Sequence, residues 1–138
     1  MLNLMVDMGS PDVSTHIVSG IGGDLHDGSW RWTGRSASLR LLATQTSGLK
    51  YCADFSLWDT AMLQTGPVTL TFLVNGKILD RVRYTTPGAK HFEKPVPAGW
   101  LSAAADTVLS AEIDKVYVAP LDGAQFGFIL SRMGFLPE

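Results

Sequence analysis

Val68-Thr69-Leu70-Thr71-Phe72-Leu73-Val74-Asn75-Gly76-Lys77-Ile78-Leu79-Asp80-Arg81-Val82-Arg83-Tyr84 alternates apolar and polar side chains on both sides of an Asn-Gly step, the pattern of two half-buried strands and a tight turn. The apolar sides match only if Val68, Leu70 and Phe72 share a face with Ile78, Val82 and Tyr84. A two-residue Asn75-Gly76 turn would set Phe72 opposite Leu79 and Leu70 opposite Arg81, moving one apolar set to the wrong side. The parity therefore predicts a three-residue loop, Val74 to Gly76, with Gly76 in the left-handed position of a bulge-forming turn. Asp80 then falls on the apolar side, beyond the edge of the core.

The same period of two recurs outward from this hairpin. Ala37, Leu39 and Leu41 alternate with Ser38 and Arg40, and Leu109, Ala111 and Ile113 with Ser110, Glu112 and Asp114. Helical periodicity is confined to short turns near Trp58 to Gln64 and Trp100 to Ala105, which read as connections. Turn signals every 8 to 12 residues or so mark an antiparallel sandwich or barrel. The last segment fits two descriptions. Phe126, Phe128 and Leu130 alternate, but Ile129, Met133 and Phe135 make the other side apolar too, so it is either a strand buried on both faces or one with a bulge near Gly134.

At 138 residues, against roughly 100 to 200 per domain, the chain reads as one domain over 1–138. Apolar residues make up 46% and charged residues 17%, below the usual share of about 25%, which excludes disorder and leaves an unusually uncharged surface suited to contact with a neutral ligand or neighbour. The net charge is -2, with 11 basic residues scattered rather than striped, so the electrostatic footprint of a nucleic-acid binder is missing. Residues Lys90 to Lys94 form a mixed-charge run, too short for an anionic membrane.

Cys52 is the one cysteine, so there is neither an intrachain disulfide nor a thiolate zinc site. It shares a face with Lys50, Asp54 and Ser56, opposite Leu49, Tyr51, Ala53, Phe55 and Leu57, and reads as a packed or half-exposed thiol rather than a nucleophile. Met1 to Gly9 lack the basic start and long apolar run of a signal peptide, and no stretch approaches the roughly 20 apolar residues of a membrane span. The expectation is a chain that stays soluble where it is made, or one that is envelope-associated if excised from a larger protein.

Chemistry-bearing residues concentrate between Gly20 and Gly34. An extended Ser29-Trp30-Arg31-Trp32 run puts both indoles on one face and Arg31 on the other. Two readings follow: the indoles pack in a core, or one lies at a concave edge, offering its flat surface to a sugar while Asp24, His26 or Asp27 accept hydroxyl hydrogen bonds. The glycines at 20, 22 and 23 miss the dinucleotide fingerprint, and Ser10, Ser19 and Ser29 lack a nucleophile elbow. His16, His26 and His91 have no ligand-like spacing, and the expectation is no metal and no cofactor, with calcium on loop carbonyls and Asp24, Asp27 or Asp122 as the alternative that oxygen ligands would suit. The glutamates are Glu93, Glu112 and Glu138, and none sits in the aromatic context of a glycosidase.

Four motifs in order, Met5-Val6-Asp7-Met8-Gly9, His16 to Gly20, Asp27-Gly28-Ser29-Trp30-Arg31-Trp32-Thr33 and Ala37 to Leu41, carry a resemblance. The chain resembles the jelly-roll, galactose-binding-like β-sandwich domains appended to bacterial cell-envelope and polysaccharide-assembly glycosyltransferases. Val74-Asn75-Gly76, Pro95-Val96-Pro97 with Leu101, and Asp122 to Leu130 fall where such domains have a turn, a step and a closing pattern, although Gln125 replaces an expected arginine. The resemblance implies an all-β, antiparallel two-sheet jelly roll and a non-catalytic carbohydrate-associated module beside a glycosyltransferase. The expected binding set is an aromatic platform from Trp30, Trp32 or Tyr51 with Asp24, His26, Asp27 and Arg31. Rival readings are an interdomain assembly module and a small carbohydrate-active or metal-dependent enzyme, for which His26, Asp27 and His91 would be tested first.

Overall fold

The computed structural model describes residues 4–43 and 45–138, so Met1 to Asn3 of the stretch read above for a leader lie outside it. Eleven strands and one short α-helix follow in the order β1 (Met5–Asp7), β2 (Ile17–Ile21), β3 (Arg31–Leu41), β4 (Leu49–Leu57), α1 (Asp59–Thr65), β5 (Val68–Val74), β6 (Lys77–Tyr84), β7 (Gly88–Pro95), β8 (Thr107–Ile113), β9 (Tyr117–Val118), β10 (Gln125–Phe126) and β11 (Ile129–Pro137) among the described residues, with a 3-10 turn at Val13–Thr15 between β1 and β2. Every pairing is antiparallel, in the order β6-β5-β8-β3-β11-β4-β7, with β2 on β3, β1 on β11, and β9 with β10 apart.

Strand β3 belongs to two layers. Its start, Arg31 and Trp32, pairs with Leu130 and Ile129 of β11, while Ser36 to Leu41 pair with β8. One leaf is thus β6-β5-β8-β3-β2 and the other β1, β11, β4 and β7. Their inner faces meet through Tyr51, Phe55, Phe72, Leu39, Leu109, Met133 and Phe135, all buried. Phe72 of β5 stacks on Phe92 of β7 at 3.8 Å and meets Tyr51 of β4 edge-on at 5.7 Å, so one aromatic seam ties leaf to leaf. Burying each such side chain contributes about 1.5 to 3 kcal/mol. This is the all-β jelly-roll sandwich expected from the alternation.

The decisive hairpin departs from expectation in one respect. Its turn has two residues, Asn75 and Gly76, both left-handed at φ 50° and 79°, and Val74 faces Lys77. Parity is repaired farther along, at a bulge between Phe72 and Leu73, so that Leu70 faces Val82 and Val68 faces Tyr84. Leu79, not Ile78, therefore points inward, and Ile78 is exposed. The tight turn keeps its ladder hydrogen bonds, and the bulge shifts the misfit to an edge strand where a lost bond meets water. Asp80 on the inward side reaches Lys94 of β7 at 3.5 Å, closing the open side of the sandwich.

Two other readings need correction. The helical turn expected at Trp58 to Gln64 is α1, but Trp100 to Ala105 is irregular, anchored at its start by buried Leu101 and by Trp100, which packs against the core. Ala103, Ala104 and Ala105 are exposed, so that stretch has no apolar stripe to hold a helix. Strand β11 has its bulge at Ser131, between Leu130 and Arg132, rather than near Gly134. Gly134 instead lies under β1, where a Cβ would stand 2.1 Å from the Leu4 carbonyl oxygen.

Candidate functional site: an aromatic and polar face

The side chains singled out between Gly20 and Gly34 gather where β3 crosses to β11. His26 and Trp30 form an isolated bridge closing a hairpin whose Asp27 and Gly28 are left-handed, at φ 51° and 68°. The His26 ring stacks on Trp30 at 4.4 Å. Inward positions of β3 are Thr33, Ala37, Leu39 and Leu41, so Trp32, of opposite parity, faces outward with Trp30. The indoles are therefore neither in the main core nor free: Trp32 meets Trp30 at 5.8 Å, Trp58 at 5.6 Å and Phe126 at 5.1 Å. Tyr117 extends the row, 5.2 Å from Trp58.

Trp58 is the most open ring of the row at 38% exposure, and its contacts are edge-on or tilted, leaving no parallel ring upon it. It borders a shallow groove of about 350 Å3 with Ser56, Asp59, Pro87, Gly88 and Ile129. The sequence reading passed over Trp58, Tyr117 and Phe126, because they come from α1's start and from β9 and β10, far from the Trp30 strand in sequence.

The row continues onto the outer face of the second leaf. Trp32, Ile129, Ser56 and Ala89 are register partners in one line, and Asp7, Arg132, Asp54 and His91 in the next. The Ser131 bulge separates the two lines and opens a polar groove of about 640 Å3. Ser10 and Ser29 wall it, Asp7, Asp54, Ser131 and Arg132 form its floor, and Gly9 and Gly28 complete it. A Cβ on Gly9 would lie 2.2 Å from the Gly28 carbonyl oxygen, so glycine is what lets the two walls meet.

A charged ladder runs on from that floor. Arg132 Nε donates to one Asp54 oxygen, and His91 Nδ1 lies 2.5 Å from the other. His91 Nε2 faces Glu93 at 3.2 Å, and Glu93 also pairs with Lys50 at 3.2 Å. Hydrogen bonding to Asp54, and then to Glu93, raises the His91 pKa. Burial pushes the Asp54 carboxyl up, but Arg132 and His91 together outweigh it and hold it below its ordinary value. Burial, followed by Glu93, pushes the Cys52 thiol up to about 11, which suits the packed role expected of it.

Two of the expected binding groups, Tyr51 and Arg31, and one residue of the enzyme reading, His91, are engaged elsewhere. Tyr51 is fully buried, donating its hydroxyl to the Ser110 carbonyl at 2.8 Å, so it cannot form a surface platform. Its inward parity with Phe55 and Leu57 decides this. Arg31 donates to the carbonyls of Met8, Gly22 and Gly23 at 3.2, 3.2 and 2.8 Å, so it clamps the loop before the tryptophans. His91 is held by Asp54 and Glu93 rather than joining His26 and Asp27. Asp24 and Asp27 are exposed on the loop, and Asp122 caps its own turn through the Ala124 amide. Among the described residues no three His, Cys, Asp or Glu side chains gather as a metal-ligand set.

No protein-family model and no curated protein sequence matches this chain. Solved structures share its fold. A family GH115 4-O-methyl-α-glucuronidase with specificity for decorated arabinogalactans superposes with a TM-score of 0.58 at 9% identity, over 100% of this chain and 18% of that one. A family 35 carbohydrate binding module from an environmental isolate gives 0.51 at 14% identity, over 97% of this chain and 96% of that one. A salicylyl-acyltransferase from a tetracycline biosynthetic pathway gives 0.51 at 14% identity, over 99% and 40%. This chain thus spans under a fifth of the glucuronidase and two fifths of the acyltransferase. At these identities the likeness is one of fold.

Proposed function

We propose that residues 1–138 act as one non-catalytic module that binds carbohydrate across the outer face running from Trp58 and Trp32 to the Ser131 groove. The observation that carries this is the continuous row of partly exposed rings, His26, Trp30, Trp32, Trp58 and Tyr117, beside a groove floored with hydroxyls and charged groups. Sugars present an apolar CH face and a hydroxyl rim, and each polar contact replaces one to water, netting about 0.5 to 1.5 kcal/mol. Ring stacking must supply much of the remainder. Trp58 is placed as the stacking ring, with Asp24, His26 and Asp27 at the rim; Trp30 is already stacked on His26 and Trp32 wedged among its neighbours. That a domain of this fold serves as a carbohydrate binding module elsewhere agrees with this reading.

The test is Trp58→Ala, assayed by affinity electrophoresis against a panel of plant and bacterial polysaccharides. Covering about 80 Å2 of ring at roughly 25 cal/mol per Å2 gives about 2 kcal/mol, so binding should fall about 30-fold. Unchanged retardation by a folded Trp58→Ala protein on every polysaccharide bound by the parent would refute the reading.

An assembly role is the second reading, favoured by Leu63 at 89% and Leu121 at 100% exposure on α1 and the β9–β10 turn, which the Gln64 to Val118 hydrogen bonds hold together. A mass that rises with concentration, and returns to the monomer value in a Leu63→Ser, Leu121→Ser double variant, would support it.

A further inference from the structure

We propose that the groove at the Ser131 bulge is a subsite for a neutral sugar, in which Asp7 and Arg132 read two adjacent hydroxyls, and that sugars bearing a carboxylate are turned away there. This rests on the carbohydrate-binding reading above and names the ligand class within it.

The groups on the floor divide into spent and available. Asp54 has given one oxygen to Arg132 and the other to His91, so it orients its neighbours and has little left for a ligand. Arg132 uses Nε on Asp54, and its two terminal nitrogens have no hydrogen-bond partner among the described residues. Asp7 is the register partner of Arg132 on β1, and its carboxylate accepts no hydrogen bond among the described residues. A donor held by Asp54 and an exposed, unengaged carboxylate whose charge it feels therefore stand side by side on neighbouring strands.

A vicinal diol suits such a pair, because each hydroxyl donates once and accepts as well, giving to the carboxylate and receiving from the guanidinium. The Ser10, Ser29 and Ser131 hydroxyls around them can serve in either sense. The lining carries two carboxylates against one guanidinium, a formal charge of -1. A uronate carboxylate reaching Arg132 would also come against Asp7, and like charges at that range repel. Among the described residues no aromatic ring lines the groove, so its selectivity comes from hydrogen bonding and charge rather than stacking.

The experiment is amide-shift NMR titration of the full chain with methyl glucoside and methyl galactoside and with the matching methyl uronates. The expected result is saturable shifts at Ser29, Ser131 and Arg132 with at least one neutral glycoside, and at least tenfold weaker binding of its uronate. Asp7→Asn, which keeps the shape and leaves most of the spectrum in place, should weaken the neutral sugar several-fold and narrow the gap to the uronate. Equal or tighter uronate binding by the parent, or an unchanged ratio in Asp7→Asn, would overturn the proposal. Shifts confined to Trp58 and its groove would overturn this subsite alone, whereas no shift with any sugar, together with no retardation by any polysaccharide, would remove the carbohydrate reading beneath it.

Discussion

Gly127 and Gly34 face each other where the link from β10 to β11 crosses β3, and alanine at the two positions should have opposite consequences. A Cβ on Gly127 would stand 1.9 Å from the Gly34 carbonyl oxygen and 2.8 Å from Thr33 Oγ1, whereas a Cβ on Gly34 meets nothing within 4 Å. Relieving the first clash means moving two backbones apart by more than an ångström. Three hydrogen bonds span that crossing: Gly127 N–H to the Thr33 carbonyl at 2.8 Å, Phe128 N–H to Thr33 Oγ1 at 3.0 Å, and Thr33 N–H to the Phe128 carbonyl at 2.9 Å. Losing two of them at about 1 kcal/mol each, with overpacking of about 1 to 3, costs roughly 3 to 5 kcal/mol. At about 4 °C per kcal/mol for a chain of this size, Gly127→Ala should lower the melting temperature by roughly 12 to 20 °C. Gly34→Ala should change stability by less than about 1 kcal/mol, or raise it slightly by restricting the unfolded chain. Urea denaturation of both variants, followed by near-UV circular dichroism, measures this. A Gly127→Ala midpoint equal to that of Gly34→Ala would refute the close-crossing argument, and with it the account of how Phe126 is held against Trp32.

Other consequences follow from hydrogen bonds rather than sterics. His91, raised above its ordinary value of about 6.5 by Asp54 and then Glu93, stabilises the fold in its charged form; that contribution is complete below about pH 6.5 and is lost as pH rises through the raised value. The ring is 47% exposed, so the stability change is small, and the check is its NMR titration: a midpoint below 6.5 would contradict the Asp54 contact. Arg31→Ala removes three bonds to carbonyls and should cost about 2 kcal/mol while speeding amide exchange in residues 22–30; unaltered exchange there would show that the clamp is idle. Tyr51→Phe should cost about 1 kcal/mol by removing the hydrogen bond to the Ser110 carbonyl and should leave polysaccharide retardation unchanged, since the phenol lies between the leaves.

What was legible in the amino-acid sequence was whatever depends on period and parity. The alternation of Ala37, Leu39 and Leu41 and of Leu109, Ala111 and Ile113 is the β3–β8 ladder, with Ala37 facing Ala111 and Leu39 facing Leu109. The mismatch in the 68–84 hairpin was also real, but parity alone says that one extra residue is needed, not where. The chain put it at Leu79, in the edge strand, because Asn75 and Gly76 already satisfy a two-residue turn. The parity of Leu39 and Leu41 also places Trp32 on the face away from the core. The partners of Trp32 were not readable, since Trp58 and Phe126 reach it only through the order in which strands pair. The clamp made by Arg31 was not readable for a similar reason: the carbonyls that occupy it belong to Met8, Gly22 and Gly23, on segments that meet only in the fold.

Strand β11 is last in chain order among the strands, yet it holds a central place, between β3 or β1 on one side and β4 on the other. During synthesis β3, β4 and β1 must wait, with open edges and an unfilled slot, until Ile129 to Pro137 leave the ribosome. Insertion of that hydrophobic segment then closes the long loops back to β1 and β4 in one step, and closure across so many residues slows folding. A nascent polypeptide halted before Ile129 would expose the Tyr51 and Phe55 strand to any neighbour able to add a strand, so the edge of β4 that faces β11 stays open until β11 has been made.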